Sequence, residues 1–194
     1  FVQPSGGHFV KRIVAAATIA IIVSSTAALA ADQKAPADVI ERGKMLLTFG
    51  GCHDCHTPKK FGPEGMTFDM SRMLSGAQAG QQLPPVDKKA LTPGYWMLMG
   101  GDLQSFVGPW GISYPANLTP DDQTGIGLWT EEIFMKTVMT GKHMGEGRPL
   151  LPPMFTENLR VMPESDLKAM YAYLRSIPPI KNPVPQPVAP PDVK

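Results

Sequence analysis

Apolar side chains recur at helical spacing in two stretches near opposite ends of the chain. In PADVIERGKMLLTFGG, residues 36–51, Val39, Ile40, Leu46 and Leu47 share one helical face, and Gly50 and Gly51 stop the run. In PESDLKAMYAYLRSIPP, residues 163–179, Leu167, Met170, Tyr171 and Leu174 form a stripe that ends at Pro178 and Pro179. Glu164 and Asp166 open this second helix, where acidic groups meet the positive end of the helix dipole. Gly43 interrupts the first helix at a cost of about 1 kcal/mol relative to alanine. That predicts a close crossing in which a tyrosine, Tyr171 or Tyr173, approaches the bare backbone. A third helix is predicted in LWTEEIFMKTVMTGKH, residues 128–143. Thr130 is placed to cap it, Trp129 and Phe134 to form a hydrophobic staple, and Gly141 to end it.

Between residues 57 and 128 neither the helical nor the strand period is sustained. Segments such as GMTFDMSRMLSG and LPPVDKKALTPG predict loops with short helical pieces. Residues 181–194 read as a proline-rich extended tail, laid over the surface or offered to a partner. Composition agrees with a loop-rich body that stays short of the disordered range, with 19 Gly and 21 Pro among 194 residues.

The first thirty residues follow another pattern. Lys11 and Arg12 precede an apolar run, residues 13–23, broken only by Thr18, and Ala28-Leu29-Ala30 has the small residues of a cleavage site. Residues 1–30 therefore read as a secretory signal peptide, with an uncleaved membrane anchor as the alternative. Its removal takes away two basic residues and no acidic ones, shifting the formal charge from +1 to −1. A chain so near neutrality lacks the concentrated basic surface of a nucleic-acid binder. Residues 31–180 are expected to form one domain, exported to the periplasm.

The chemistry concentrates in GGCHDCHTP, residues 50–58, which holds both cysteines, Cys52 and Cys55, and two of the four histidines, His53 and His56. A Cys-x-x-Cys pair serves as a redox-active dithiol, as half of a zinc site, or as the covalent anchor of a c-type haem. A structural zinc site wants four ligands, usually in two spaced pairs, yet His8 and His143 stand alone in the sequence. A thioredoxin-like dithiol belongs in a βαβ pattern, whereas a helix is predicted before Cys52. In the haem reading the Cys52 and Cys55 sulfurs add across the two vinyl groups and His56 ligates the iron, so every residue of the CxxCH motif has a task. His53 is then a solvent-facing spacer.

Several stretches together carry a family resemblance. A helix ending in GGCHDCHTP, the proline-flanked methionine of PLLPPM and the final helix DLKAMYAYLRSIPP resemble the class I cytochromes c. YPANLTPDDQTGIGLWTEEIF and TGKHMGEGRPLLPPM are similar to segments of bacterial periplasmic cytochromes related to the haem subunits of membrane-bound alcohol and gluconate dehydrogenases. The resemblance spans most of residues 37–182. Those subunits carry three haem motifs and this chain carries one, which favours a small single-haem carrier.

The resemblance implies a mostly α, class I cytochrome c fold, with N- and C-terminal helices packed over a loop-wrapped covalent haem c. It also implies Met154 as the sixth ligand, because the distal methionine of the class lies in an irregular loop ahead of the last helix. Pro152 and Pro153 hold the backbone before it extended. Met144 and Met162 are rival thioethers, and His143 would give bis-histidine ligation. Met135, Met139 and Met170 read as helix packing.

With His56 and Met154 on the iron no coordination position stays open, so the expected function is outer-sphere transfer of single electrons and not catalysis. The expected partners are a redox protein donor and acceptor: a dehydrogenase, a quinol-oxidising complex or a terminal oxidase. Any membrane association would come through the partner or the uncleaved signal. One alternative is a haem subunit of a membrane-bound dehydrogenase or oxidase complex. Another is a haem protein with a labile methionine and peroxidase-like or gas-binding activity.

Three further segments have plain readings. Asn117-Leu118-Thr119 fits a glycosylation sequon, but Pro120 follows and a turn is expected. DDQTG, residues 121–125, lacks the alternating oxygen ligands of a calcium loop and reads as a solvated turn. Trp110 and Tyr114 read as packing residues and Arg148 as a surface residue, with contact to a haem propionate as the alternative for each.

Overall fold

Helix α1, Ala37–Phe49, forms where the apolar period predicts it, and the Gly50 N–H closes it by donating to the Leu46 carbonyl at 2.8 Å. The computed structural model describes residues 35–194, so the expected signal peptide and His8 lie outside the described residues. Gly51 follows at φ 67°, in the left-handed region that glycine enters without penalty, and turns the chain into α2, Cys52–His56.

The stretch expected to be loops with short helical pieces holds five short strands besides. Strands β1, Lys59–Gly62, and β2, Gly65–Phe68, form an antiparallel hairpin directly after α2. Strands β3, Leu98–Met99, β4, Phe106–Gly108, and β5, Gly111–Ser113, form an antiparallel sheet in the order β3-β4-β5. Alternation could not announce them. Each is two to four residues long, β4 and β5 are buried at every position, and β2 is exposed at every position. The helical pieces are single 3-10 turns at Met70–Arg72 and Lys88–Leu91.

Helix α3, Glu131–Thr140, starts and stops as its sequence predicts. Thr130 Oγ1 accepts from the Ile133 N–H at 3.2 Å, and Gly141, at φ 65°, donates to the Thr137 carbonyl at 3.0 Å. Trp129 packs against the core cluster that contains Phe134. The short α4, Glu157–Arg160, leads into α5, Glu164–Ser176.

Helices α1 and α5 cross at Gly43. A Cβ there would run into the Ala169 carbonyl oxygen and stand 2.9 Å from Tyr173 Cβ, so Tyr173 is the tyrosine that approaches the glycine. Tyr171 instead donates its hydroxyl to the Trp129 carbonyl at 2.6 Å and ties α5 to the start of α3. At the rim, Arg42 grips Asp166 with two bonds, Nε to Oδ1 at 3.0 Å and a terminal nitrogen to Oδ2 at 2.8 Å. Leu47, Leu74, Leu167 and Leu174 are fully buried in the main core, each contributing roughly 1.5–3 kcal/mol by burial.

The tail lies on the body, extended up to a 3-10 turn at Pro190–Asp192. The buried Asn182 Nδ2 donates to the Ser75 and Ala77 carbonyls, both at 2.8 Å, while its Oδ1 accepts from the Ala79 N–H at 3.2 Å. Val188 exchanges backbone hydrogen bonds with Ile112 at 2.9 and 3.0 Å, and Val193 is buried with Ala90, Val107 and Ile112 in a second core. The 117–125 segment is a pair of turns. Asn117 is buried and its Oδ1 accepts from the Thr119 N–H at 2.9 Å, and Asp121 Oδ1 accepts from the Thr124 N–H and hydroxyl at 2.7 and 2.6 Å. Among the described residues no helix is long and apolar enough to cross a membrane.

Gly43→Ala is expected to destabilise the chain by about 1–3 kcal/mol, because a methyl group has to displace helix backbone. Gly101→Ala, which meets nothing within 4 Å, should stay within about 0.5 kcal/mol of the parent. Urea unfolding of the two variants checks the pair, and equal midpoints would contradict the crossing.

Candidate functional site

In an α-helix, positions i, i+3 and i+4 lie on one face. Helix α2 therefore turns Cys52, Cys55 and His56 the same way. A helix of five residues leaves almost all of its carbonyls without internal partners, and here they are served from outside. Lys59 Nζ donates to the Asp54 carbonyl at 2.5 Å and to the Thr57 carbonyl at 2.7 Å. Gln104, buried in the β3–β4 loop, donates from Nε2 to the Cys55 carbonyl at 2.6 Å. The Gly76 N–H donates to the His56 carbonyl at 2.8 Å.

The half-buried His56 has one ring nitrogen committed. Nδ1 lies 2.7 Å from the Ala116 carbonyl oxygen. A carbonyl only accepts, so Nδ1 carries the proton and the Nε2 lone pair is left free. Burial lowers the His56 pKa below its ordinary value of 6.5 against the opposing Ala116 bond, which keeps the ring neutral near pH 7. Gly76 makes room for that carbonyl. At φ 79°, it sits so near the 115–116 backbone that an added Cβ would stand 2.6 Å from Ala116 oxygen. The Ala77 N–H fastens the same two segments by donating to the Pro115 carbonyl at 2.9 Å.

Both cysteines are free thiols. Burial pushes the Cys52 pKa up to about 11, and burial also raises Cys55 although Lys59 opposes it. A nucleophilic Cys-x-x-Cys dithiol has a lowered pKa, and burial shifts this pair the other way. Among the described residues no three His, Cys, Asp or Glu side chains gather as a metal-ion site. A c-type haem does fit the donor set: two thiols to attach it, and on the same face a neutral imidazole with its outer nitrogen free. His53 departs from the expected solvent-facing spacer. It is partly buried and its Nδ1 pairs with Thr57 Oγ1 at 3.1 Å, the same hydroxyl that accepts from the Leu74 N–H at 3.0 Å.

Met154 is held on a separate element, the loop between α3 and α4. Ser113 Oγ donates to the Pro152 carbonyl at 2.5 Å, and Trp110 Nε1 donates to Ser113 Oγ at 3.2 Å. The indole N–H of Trp110 thus supports the methionine loop, and Gly108 is bare where the Trp110 ring lies over it. Met154 is 42% exposed and lines a hollow of about 410 Å³ with Gly141, Leu150 and Phe155. Met144 is 45% exposed and takes φ 53°, a strained backbone for a residue other than glycine. The His143 ring packs edge-on to Trp129, with centroids 5.4 Å apart. Met162 and Met135 pack against the core and Met170 is within it. Tyr114 packs against the second core, and Arg148 donates to the Pro149 carbonyl at 3.3 Å on the surface.

In sequence the chain is similar to the cytochrome c subunits of dehydrogenases. It is 30% identical over 149 residues to the gluconate 2-dehydrogenase cytochrome c subunit of Pantoea cypripedii, covering 77% of this chain and 25% of that protein. A nicotinate dehydrogenase subunit of Pseudomonas putida is 28% identical over 149 residues, covering 77% and 9% of the two chains. The fructose dehydrogenase cytochrome subunit of Gluconobacter japonicus is 26% identical over 140 residues, covering 71% and 22%. The matched region spans a quarter or less of the length of these relatives. No family model matches the chain.

The histidines set a pH dependence for the haem-free protein. His56 and His143 are both held below 6.5, each chiefly by burial. As pH falls through about 6.5 the unfolded chain takes up protons that the folded chain still refuses, so stability present above that pH is lost below it. The urea midpoint of the haem-free chain is expected to fall between about pH 7.5 and about pH 5.5, and His143→Gln should reduce the fall. An unchanged midpoint across that window would contradict the burial of both rings.

Proposed function

We propose that this chain is a single-electron carrier with one haem c, attached through Cys52 and Cys55 and ligated by His56 and Met154. The observation that carries the proposal is the arrangement on α2: two protonated thiols and a neutral imidazole on one face, with Nδ1 donated to Ala116 and Nε2 free. Bound haem supplies a one-electron Fe(III)/Fe(II) couple, whose potential a methionine ligand raises relative to bis-histidine ligation. The chain's own residues keep the surroundings constant while the charge changes. Ala116 fixes the ring plane of His56, Gly76 and Gln104 fix the backbone of α2, and Ser113 fixes the loop that offers Met154.

The proposed setting is the periplasm, and the proposed partners are a redox donor and an acceptor protein. A second reading, favoured by the names of the relatives, makes the chain a cytochrome subunit of a dehydrogenase. Fractionating native cells into soluble and detergent-extracted membrane material, with haem staining after native electrophoresis, separates the two. Haem at the chain's own mass in the soluble lane supports the carrier, and co-migration with a large membrane assembly supports the subunit.

Met154→Ala in the haem-loaded protein is expected to open the iron, so that the ferrous form binds carbon monoxide while the parent and Met144→Ala do not. Visible spectra recorded under carbon monoxide check this. Binding by the parent would favour a labile-ligand haem protein, and binding by Met144→Ala alone would move the sixth ligand to Met144.

A further inference from the structure

Lys59 is 8% exposed, and among the described residues no carboxylate forms an ion pair with it. Its ammonium rests on the Asp54 carbonyl at 2.5 Å, the Thr57 carbonyl at 2.7 Å and the face of Phe68, with the ring centroid at 5.1 Å. Burying a cation without a counter-ion is costly. Capping carbonyls does not require one, since the neutral amide of Gln104 does the same work at the Cys55 carbonyl one residue along. The charge itself is therefore left to explain. Burial lowers the Lys59 pKa, while Cys55, Asp102 and Asp54 favour the charged form. Its two carbonyl partners belong to Asp54, the second of the two residues between the cysteines, and to Thr57, the residue after His56, so the charge is seated on the motif.

We propose that Lys59 is an electrostatic positioning residue for the redox couple: its buried positive charge on α2 favours the ferrous over the ferric state and holds the midpoint potential up. This rests on the haem reading above. One-electron reduction of the iron forms and breaks no bond and lowers the site's charge by one unit, which a fixed cation nearby stabilises. Asp102 is the opposing charge. It accepts from Gln81 Nε2 at 2.5 Å and from the Gln104 N–H at 3.1 Å, and its field acts on Lys59.

Potentiometric titration of the haem-loaded chain tests the proposal with three variants. Lys59→Gln removes the charge and keeps a donor, and the Fe(II)/Fe(III) ratio at a fixed ambient potential is expected to fall on the order of tenfold, or ~59 mV for a one-electron couple. Lys59→Arg keeps the charge and should stay near the parent. Asp102→Asn should shift the ratio the other way. The variant's new amide has a partner available, because Gln81 Oε1 is buried without one and the Gln81 amide can turn to accept. General loosening of the motif would move Lys59→Gln and Asp102→Asn in the same direction, so opposite signs mark an electrostatic effect. Equal potentials for all variants, or shifts of one sign, would overturn the role of Lys59 while leaving the haem in place. If Lys59→Gln fails to accumulate, an upward shift in Asp102→Asn with Lys59→Arg near the parent supports the role, and a downward or absent shift overturns it. A parent chain that holds no covalent haem would instead overturn the reading on which this one stands.

Discussion

The carbonyls of a five-residue helix cannot find partners inside it, and the arrangement around α2 follows from that shortage. The last three carbonyls of α2, Asp54 to His56, and that of Thr57 just after it take their donors from Lys59, Gln104 and Gly76, which come from the first hairpin, the β3–β4 loop and the segment beside Ala116. Every donor lies beyond the helix it serves. Helix α2 is thus shaped by the rest of the chain, and the side chains of Cys52, Cys55 and His56 inherit a direction that five residues could not maintain alone.

The same dependence runs outward to the chain terminus. Asn182 in the tail holds the backbone of Ser75, Ala77 and Ala79. That segment places Gly76 against the 115–116 backbone, and the Ala116 carbonyl fixes the proton of His56 on Nδ1. Residues far apart in sequence therefore meet in one relay, which the α1–α5 crossing at Gly43 supports from the side of the main core. A loop-rich body of this kind gets its rigidity from side chains that satisfy backbone groups, more than from long regular elements.

The parts of this structure written in local periodicity were legible in the sequence. Helices α1, α3 and α5, the Thr130 cap, the Gly141 stop and the close approach at Gly43 follow from spacing and from single residues with one conformational use. The CxxCH motif brought its three side chains to notice without any structure. The five strands escaped because two to four residues carry no measurable alternation. Lys59, Gln104 and Ser113 escaped for another reason: each acts through a contact far away in sequence or across a turn, and a polar residue in a loop has no period to mark it. Gly76 left a faint signal, a glycine in a run of small residues, whose use appears only once Ala116 is beside it.

A helix held from outside, with burial raising the pKa of both thiols and lowering that of the imidazole, presents the face on which the proposal seats haem. The most direct measurement is the intact mass of the chain, expressed with a haem-attachment system and then fully denatured. One haem retained per polypeptide, and none on a Cys52→Ser, Cys55→Ser double variant, is the expected result. A parent chain that releases all of its haem on denaturation, or that never acquires any, would contradict it.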